Sequence, residues 1–433
     1  MSRLRILVLA PDANPEGTCG PLLSFSEAEA LARLHGVTLV IRSSGEEAVR
    51  RRQGPLHSVE VIRQPWLERI YAWSFRWIFK GDLTSRALTA FGYPFAVAFE
   101  WQAWRQIRAR IKGDEYDVVL RLLPVPAVLP SPFAFFLRNG PVPFVIGPVS
   151  GGLPWPAGFS QADKQKGWIL GLRNLYRFLP FARSTYRHAS AIIAGASQTF
   201  AEFSSYREKL FFLLENGVSR SLCSDGKRIS NGRLKLIFVG GLLPVKACDL
   251  ALRAAAPLLR SDLAQFTVVG DGPERDRIER LSRSLEIEKA VSFCGWVSHD
   301  EAQQKLRDAD VLVFPSVRDN SPAVVFEALA AGAVPVVVDF GGPGDTVHSE
   351  VGYKVALTNE SDVVSQMERI LVSLAQDRDL LNRLRQQGMC YARERLTWDA
   401  KAQTLTAIMR WALRQGPRPN LPPPKVVYLE RAS

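Results

Sequence analysis

The sequence predicts an α/β protein with two doubly wound, Rossmann-like domains facing each other across a cleft, and three observations support this fold class. The chain has 433 residues, more than a single hydrophobic core normally supports. Short β-rich runs alternate with helical stretches in both halves, as in successive βαβ units. Glycine, proline or small polar residues follow many of the runs, at the edge where parallel sheets bind ligands.

The N-terminal half opens with a predicted buried strand at Arg5–Ala10. A loop with Gly17 and Gly20 follows, then a helix from about Leu22 to Leu34. The later predicted strands of this half are Val37–Ile41, Asp117–Leu122, Val142–Ile146 and Ala191–Ala194.

The C-terminal half repeats the pattern with helical stretches between its strands. Its predicted strands are Leu236–Val239, Phe266–Val269, Val291–Phe293, Val311–Phe314 and Val334–Val338. We therefore predict one domain over residues 1–215, a second over 216–400, and a helix with a proline-rich tail over 401–433. The tail from Pro417 to Pro424 is expected to be extended.

Bulk composition predicts an ordinary folded protein of the cytoplasm. Apolar residues make up 47 % of the chain and charged residues 23 %, and no apolar run reaches the roughly 18 residues that span a bilayer. The first residues are interpreted as a strand and not as a signal peptide. The five cysteines lack CxxC spacing, which argues against a disulfide framework or a zinc site. They are Cys19, Cys223, Cys248, Cys294 and Cys390.

The most informative window runs from Phe314 to Ala330. A buried strand ends at Pro315, Ser321 is a good N-cap, Pro322 suits the first helical turn, and Gly332 closes the helix. Such a helix start carries free N–H groups and partial positive charge, which suits a diphosphate. Asp319 and Glu327 flank it, and carboxylates there can hold sugar and ribose hydroxyls. The alternative is that both acids lie on the surface of an ordinary βα unit.

Three glycine-rich turns follow other predicted strands and can approach a ligand closely. The first includes Gly241 and ends at Lys246, a cation suited to phosphate. The second contains Gly270 and Gly272, and the third is Gly147–Gly152 in the N-terminal half. Plain βα turns with a solvated lysine remain the alternative.

Together these windows resemble glycosyltransferase family 4, the retaining nucleotide-sugar-dependent transferases of the GT-B fold. The resemblance covers nearly the whole C-terminal half, and the 314–345 stretch is its most specific part. It continues through the first strand and loop, Gly147–Gly152 and Ala191–Ser197.

The resemblance implies a role for each matching residue. Glu327 corresponds to the acid that binds the nucleotide ribose, Asp319 to the acid that contacts the donor sugar, and Lys246 to the lysine that neutralises the diphosphate. The backbone of Asn320, Ser321 and Ala323 would face the diphosphate, and Trp296 and Val297 would border the base. The loops with Gly17, Gly20 and Gly147–Gly152 would line the opposite wall of the cleft.

The chain departs from the family pattern in three places. Asp319 stands where the family usually has glutamate, and Gly241 stands where it usually has arginine. The lost cation removes a charge-assisted contact of about 1.5–3 kcal/mol to the leaving phosphate, and Arg318 is the candidate substitute. The Asp117–Leu122 strand is not followed by the His-x-His pattern of many relatives.

The excess of positive charge lies in the N-terminal half and predicts an anionic partner there. The net charge is +12, and residues 50–112 hold 12 basic and 4 acidic side chains with five of the ten tryptophans. One helical stripe contains Trp66, Ile70, Trp73 and Trp77, flanked by Arg69, Arg76 and Lys80. Residues 62–112 are therefore expected to dock on an anionic membrane surface. The alternative is core packing, and no nucleic-acid-binding module is recognised.

We therefore expect a retaining glycosyltransferase of the hexosyltransferase type. It would transfer a sugar from a UDP- or GDP-sugar to a hydroxyl acceptor, such as a lipid-linked, polysaccharide or lipopolysaccharide intermediate. The five histidines have no metal-ligand spacing and no Asp-x-Asp triplet occurs, so neither a cofactor nor a metal is expected. The location would be the cytoplasm, with peripheral attachment to the inner face of the plasma membrane. The alternatives are a catalytically silent nucleotide-binding scaffold in polysaccharide assembly, and an epimerase or phosphorylase of the same fold.

Overall fold

The computed structural model confirms the predicted fold class, because it contains two separate sheets in which every strand pairing is parallel. It describes residues 2–17, 20–52, 54–66, 69–70, 87–122, 129–150, 153, 156, 159, 179–223 and 232–421.

The N-terminal sheet has the order β3-β2-β1-β4-β5-β6-β7. Its strands are β1 Arg5–Leu9, β2 Gly36–Arg42, β3 Ser58–Ile62, β4 Val118–Arg121, β5 Phe144–Val149, β6 Ala191–Ala194 and β7 Leu210–Phe212. The described helices of this half are α1 Gly20–Leu34, α2 Glu46–Arg52, α3 Ala87–Lys112, α4 Pro132–Phe136, α5 Ala182–His188 and α6 Ser197–Glu202. Apolar side chains cover both faces of the sheet, as a parallel sheet requires.

The C-terminal sheet has the order β10-β9-β8-β11-β12-β13. Its strands are β8 Leu234–Val239, β9 Ala264–Val269, β10 Val291–Phe293, β11 Val311–Phe314, β12 Val334–Val338 and β13 Tyr353–Val355. The helices around it are α7 Cys248–Arg260, α8 Arg275–Ser284, α9 His299–Asp308, α10 Ala323–Ala331, α11 Gly341–Thr346, α12 Glu360–Gln376 and α13 Arg378–Tyr391. The strand order reverses at β8, between β9 and β11, so the loops after these strands flank a crevice.

The last described helix, α14 (Trp398–Ala412), returns to the N-terminal domain and packs against α1. Its apolar face joins the core beneath the first sheet through Ala402, Leu405, Ile408 and Met409. The ring of Trp398 lies so close to Gly217 that a Cβ there would stand 2.7 Å from it. The chain therefore crosses between the two domains twice, once near Asn216 and once near Thr397.

No helix in the described part of the chain combines the length and the apolar character needed to cross a bilayer. Two members of the predicted aromatic stripe, Trp66 and Ile70, are exposed at 65 % and 47 %. Trp73, Arg76, Trp77 and Lys80 lie outside the described residues.

Candidate functional site

The turns after β8 and β11 bring Lys246 and Asp319 together. The backbone N–H of Val317 donates to the carbonyl oxygen of Val245 at 3.0 Å, which holds the two turns side by side. Lys246 ends the short 3₁₀ turn Pro244–Lys246, and its ammonium forms an ion pair with the Asp319 carboxylate. The same ammonium lies 5.4 Å from the centre of the Phe314 ring. The structure thus places the predicted cation at the carboxyl edge of the C-terminal sheet.

Helix α10 begins beside this ion pair, but its cap differs from the predicted one. Pro322, and not Ser321, is the N-cap residue, and no side chain caps the helix. The Ser321 hydroxyl instead accepts a hydrogen bond from the backbone N–H of Asn216 at 3.1 Å. The first turn of α10 contains no acidic side chain, so the partial positive charge of the helix start is not offset from within the helix. Gly332, with φ 86°, closes the helix as predicted.

Backbone contacts from α11 fix the loop that leads into α10. The N–H of Gly342 donates to the carbonyl oxygen of Asp319 at 2.8 Å. A Cβ on Gly342 would stand 2.1 Å from the carbonyl oxygen of Asn320, so only glycine fits this approach. The Oδ1 atom of Asn320 is buried and meets no hydrogen-bond partner among the described residues.

The glycine turns of the C-terminal domain form one continuous border. The N–H of Leu242 donates to the carbonyl oxygen of Asp271 at 2.9 Å, and that of Gly270 donates to the carbonyl oxygen of Gly295 at 2.8 Å. Gly241, Gly270 and Gly272 are therefore neighbours, as parallel strand ends require. Beyond Gly295, the Trp296 side chain is 73 % exposed, whereas Val297 packs against the core.

Glu327 lies on α10 and faces α9. Burial raises the pKa of its carboxyl group, while the charge of His299 and the side chain of Gln303 act in the opposite direction. Both of these residues belong to α9, which packs on α10. Sequence reasoning did not select Gln303 or His299 as site residues; it noted only that the five histidines lack metal-ligand spacing. Their spacing of four residues, directly after the Gly295–Val297 turn, was the available signal.

Arg318 reaches across the cleft. Its Nε donates to the carbonyl oxygen of Leu153 at 3.2 Å, and the Leu153 side chain packs with the core of the C-terminal domain. The predicted loop Gly147–Gly152 ends just before Leu153, and its last two residues lie outside the described part of the chain. Sequence reasoning named this loop but missed Leu153 as its point of contact.

Two further hydrogen bonds join the domains beside the loop that leads into α10 (Asp319–Ser321, called the donor loop below). The side-chain amide of Asn216 donates to the Ser321 carbonyl oxygen at 3.2 Å, and the N–H of Ser197 donates to the Asp345 carboxylate at 2.8 Å. Burial raises the pKa of Asp345 to about 6, against the lowering effect of Ser197. In the N-terminal domain, Gly17 lies in the loop between β1 and α1, whereas Gly20, predicted in that loop, is the first residue of α1.

This architecture defines a class of protein: two Rossmann-like domains with a crevice lined by the carboxyl ends of both sheets, the GT-B fold of glycosyltransferases. Solved structures share it. The Anabaena protein HepE in complex with UDP has a TM-score of 0.60 at 16 % identity, covering 93 % of this chain and 98 % of that one. The apo form of WaaB, a lipopolysaccharide outer core galactosyltransferase, has a TM-score of 0.58 at 13 % identity, covering 94 % and 99 %.

The family of the C-terminal domain follows from its sequence. Residues 224–389 match the family described as Glycosyl transferases group 1. An uncharacterized glycosyltransferase of Methanocaldococcus jannaschii is 29 % identical over 210 residues, which are 48 % of this chain and 50 % of that protein. The chain spans about half the length of this curated relative. The C-terminal half is therefore similar to the group 1 glycosyl transferases over residues 224–389, within a GT-B fold.

Proposed function

We propose that the chain transfers a sugar from a nucleoside diphosphate sugar to a hydroxyl acceptor, with the donor bound in the C-terminal domain. One observation carries the proposal. The Lys246 ammonium, the uncapped start of α10 and the glycine turns after β8 and β9 converge on one edge of the sheet. Cation, helix dipole and free N–H groups are the features that bind a diphosphate.

The residues have separate tasks in this proposal. Lys246 and the backbone N–H groups of Asn320, Ser321 and Ala323 hold the diphosphate, and Glu327 accepts hydrogen bonds from the ribose hydroxyls. Asp319 contacts the donor sugar, and Trp296 and Val297 border the base. The HepE complexes with UDP and with UDP-glucose, which share the fold, support a nucleotide sugar as donor.

The reaction breaks the bond between the anomeric carbon and the diphosphate oxygen and forms a bond from the acceptor oxygen to that carbon. The acceptor's hydroxyl proton passes to the departing diphosphate. Lys246 and the α10 start stabilise the charge that grows on the diphosphate in the transition state. We propose that the anomeric configuration is retained and that positive charge from the protein serves in place of a metal.

We propose a lipid-linked or polysaccharide acceptor that is met at an anionic membrane surface. A groove of about 1030 Å³ runs along α3 in the N-terminal domain, and its lining includes Trp66, Tyr93, Val97, Trp101 and Phe181. Trp66 and Trp101 are exposed at 65 % and 51 %, and amphipathic rings of this kind sit at the headgroup level of a bilayer.

Vesicle flotation tests the membrane proposal. The chain should float with vesicles that contain anionic lipid and remain behind with neutral ones. Trp66→Ala combined with Trp101→Ala should abolish flotation, whereas Trp411→Ala, on α14, should preserve it. Equal flotation of all three proteins, or none with anionic vesicles, contradicts the proposal.

The transfer proposal is tested with a panel of UDP-, GDP- and ADP-sugars, scored for release of nucleoside diphosphate in the presence of membrane extract. One donor should be active, and Glu327→Ala should abolish its turnover. EDTA should leave the rate unchanged. Release that survives Glu327→Ala contradicts the assigned site.

A catalytically silent nucleotide-binding scaffold is the second candidate function. It is favoured by Gly241, which supplies no cation, and by the contact of Arg318 with Leu153 across the cleft. The same panel separates the two functions, because a scaffold binds the nucleoside diphosphate but releases none from any donor.

A further inference from the structure

Asn216, in the segment that crosses between the domains, binds the donor loop at Ser321 through two hydrogen bonds. Its backbone N–H donates to the Ser321 hydroxyl at 3.1 Å, and its side-chain amide donates to the Ser321 carbonyl oxygen at 3.2 Å. Asn216 is 4 % exposed, and its Oδ1 atom accepts from the backbone N–H of Gly217 at 2.8 Å. A buried asparagine thus directs a backbone donor and a side-chain donor at one residue 105 positions later in the chain.

The residue before Asn216 is anchored to the N-terminal domain. The Lys401 ammonium donates to the Glu215 carbonyl oxygen at 2.7 Å, and the Ser150 hydroxyl donates to the Glu215 carboxylate at 2.6 Å. Ser150 directly follows β5, and Lys401 belongs to α14, which packs in the core of that domain. Asn216 is therefore fixed relative to the N-terminal domain, and its bonds to Ser321 fix the donor loop of the C-terminal domain in turn.

These bonds decide what the start of α10 offers to a ligand. The Ser321 hydroxyl is bound to Asn216, and α10 has no side-chain cap, so the first N–H groups of the helix stay available. The bond to the Ser321 carbonyl oxygen constrains the planar peptide group that joins Ser321 to Pro322. The proline ring holds the next φ, which is −71°. Only the ψ angle of Pro322 then separates this plane from the N–H of Ala323.

We propose that Asn216 is a positioning residue for the diphosphate of the donor. By holding Ser321, it keeps the N–H of Ala323 and the uncapped start of α10 directed at the diphosphate. This inference rests on the proposed function, in which backbone N–H groups at the start of α10 hold that diphosphate. Asn216 acts through Ser321 and does not touch the donor. Without its side-chain amide the peptide group before Pro322 can rotate, and binding must first restore its orientation.

The proposal separates diphosphate binding from stability. Asn216→Ala removes the side-chain donor and leaves the backbone donor to the Ser321 hydroxyl. It should weaken binding of the nucleoside diphosphate about tenfold, because displacements in a preorganised site are costly, and leave binding of the corresponding nucleoside unchanged. Asn359→Ala is the matched control, since it removes the N-cap of α12, where Asn359 accepts from the Asp362 N–H at 3.0 Å. The control should lower the melting temperature without changing either affinity.

Titration of the full chain tests this, with whichever of UDP, GDP and ADP the wild type binds most tightly and with the corresponding nucleoside. Calorimetry follows the diphosphate, and ligand-observed NMR follows the nucleoside. Melting temperatures of both variants show whether lost stability accounts for lost affinity. If Asn216→Ala is not folded at the titration temperature, Asn216→Asp repeats the comparison at pH 8. That variant keeps an acceptor for the Gly217 N–H, but its ionised carboxylate cannot donate to Ser321.

Three outcomes overturn the proposal: unchanged diphosphate affinity in the Asn216 variant, equal losses for the diphosphate and the nucleoside, or an equal loss of diphosphate affinity in Asn359→Ala. Each of them leaves the proposed function standing. Failure of the proposed function looks different, since the wild type then binds no nucleoside diphosphate. That result overturns both proposals at once.

Discussion

Lys246 and Asp319 form an ion pair at the start of α10, so under the proposed function a donor diphosphate competes with the Asp319 carboxylate for the same ammonium. Lys246→Met removes the cation and should lower affinity for the nucleoside diphosphate by about 1.5–3 kcal/mol, or roughly tenfold to a hundredfold. Calorimetric titration with the nucleoside diphosphate measures this loss of affinity. Lys305→Met, which breaks a surface pair with Glu301 at 3.5 Å, is the control. Equal affinities of the two variants contradict the assignment of Lys246.

Gly241 can accept a side chain. It does not have a positive φ, and the atoms nearest to an added Cβ are those of Leu243, at 3.7 Å. Gly241→Arg would place a cation at the position where the resemblance to glycosyltransferase family 4 implies an arginine. We expect it to raise the rate of nucleoside diphosphate release about tenfold or more, because a charge-assisted contact forms with the leaving phosphate. A folded variant with an unchanged rate would show that this position does not face the phosphate.

The raised pKa of Glu327 gives the site a pH dependence. The ionised carboxylate is the form that accepts hydrogen bonds from ribose, and burial moves the pKa above that of an ordinary glutamate. As the pH falls, nucleotide affinity should therefore begin to decline at a higher pH than it would if Glu327 had the pKa of a solvent-exposed glutamate. Titrations between pH 4 and 8 check this, and Glu327→Gln should remove the decline. A wild-type affinity that is flat over this range contradicts the assigned role.

At the scale of elements, α11 supports the donor loop through glycine. In Gly342→Ala the new methyl group would overlap the Asn320 carbonyl oxygen at 2.1 Å, so the loop from Asp319 to Ser321 must shift. We expect at least a tenfold loss of donor turnover, because small displacements in a preorganised site are costly. Gly92→Ala, whose new Cβ has no atom of the described residues within 4 Å, is the matched control. Equal turnover of the two variants would show that the loop position is unimportant.

Local sequence predicted the central strands better than the edge strands. The inner strands β6, β11 and β12 have the predicted bounds because apolar β-branched runs between turn residues leave little alternative. Of the four edge strands, β10 also has the predicted bounds. Sequence reasoning did not select β3, β7 and β13. β3 and β13 carry charged residues, and β7 has only three residues, so their pairing depends on tertiary context. The cap of α10 was wrong by one residue because the Ser321 hydroxyl binds Asn216 of the interdomain segment.

At the scale of the whole molecule, the return of α14 to the N-terminal domain buries a charged cluster. The Lys401 ammonium donates to the Glu215 carbonyl oxygen at 2.7 Å and lies 3.9 Å from Glu27. The Ser150 hydroxyl donates to the Glu215 carboxylate at 2.6 Å. Burial lowers the pKa of Lys401 and raises those of Glu215 and Glu27, that of Glu27 to about 7.

This cluster predicts how stability varies with pH. A folded-state pKa raised above the unfolded value means that the native state binds the extra proton, so stability falls as pH rises from about 4.5 to about 7. Glu27→Gln removes that loss and should stabilise the protein by about 1–2 kcal/mol more at pH 8 than at pH 5. Denaturant unfolding at pH 5 and pH 8 measures this difference in stabilisation, and Glu47→Gln, at an exposed position, is the control. A gain that is equal at both pH values contradicts this account.

Contacts between the domains were beyond the reach of the sequence. Each domain follows from its own alternation of strands and helices. The 314–345 window selected Asp319 and Glu327, and the glycine turn that ends at Lys246 selected the lysine. The bonds that join Arg318 to Leu153 and Ser197 to Asp345 link residues distant along the chain, and no local pattern encodes them. The same holds for Gln303, because its burial depends on how two helices pack.

The central claim, that a donor diphosphate lies at the start of α10, is tested most directly by a crystal structure with the tightest-binding nucleoside diphosphate. The account predicts phosphate oxygens within hydrogen-bonding distance of the Lys246 ammonium and of the backbone N–H groups of Asn320, Ser321 and Ala323, with the ribose hydroxyls on Glu327. A nucleotide bound at another place in the molecule, with the Lys246–Asp319 pair intact and Glu327 untouched, would contradict it.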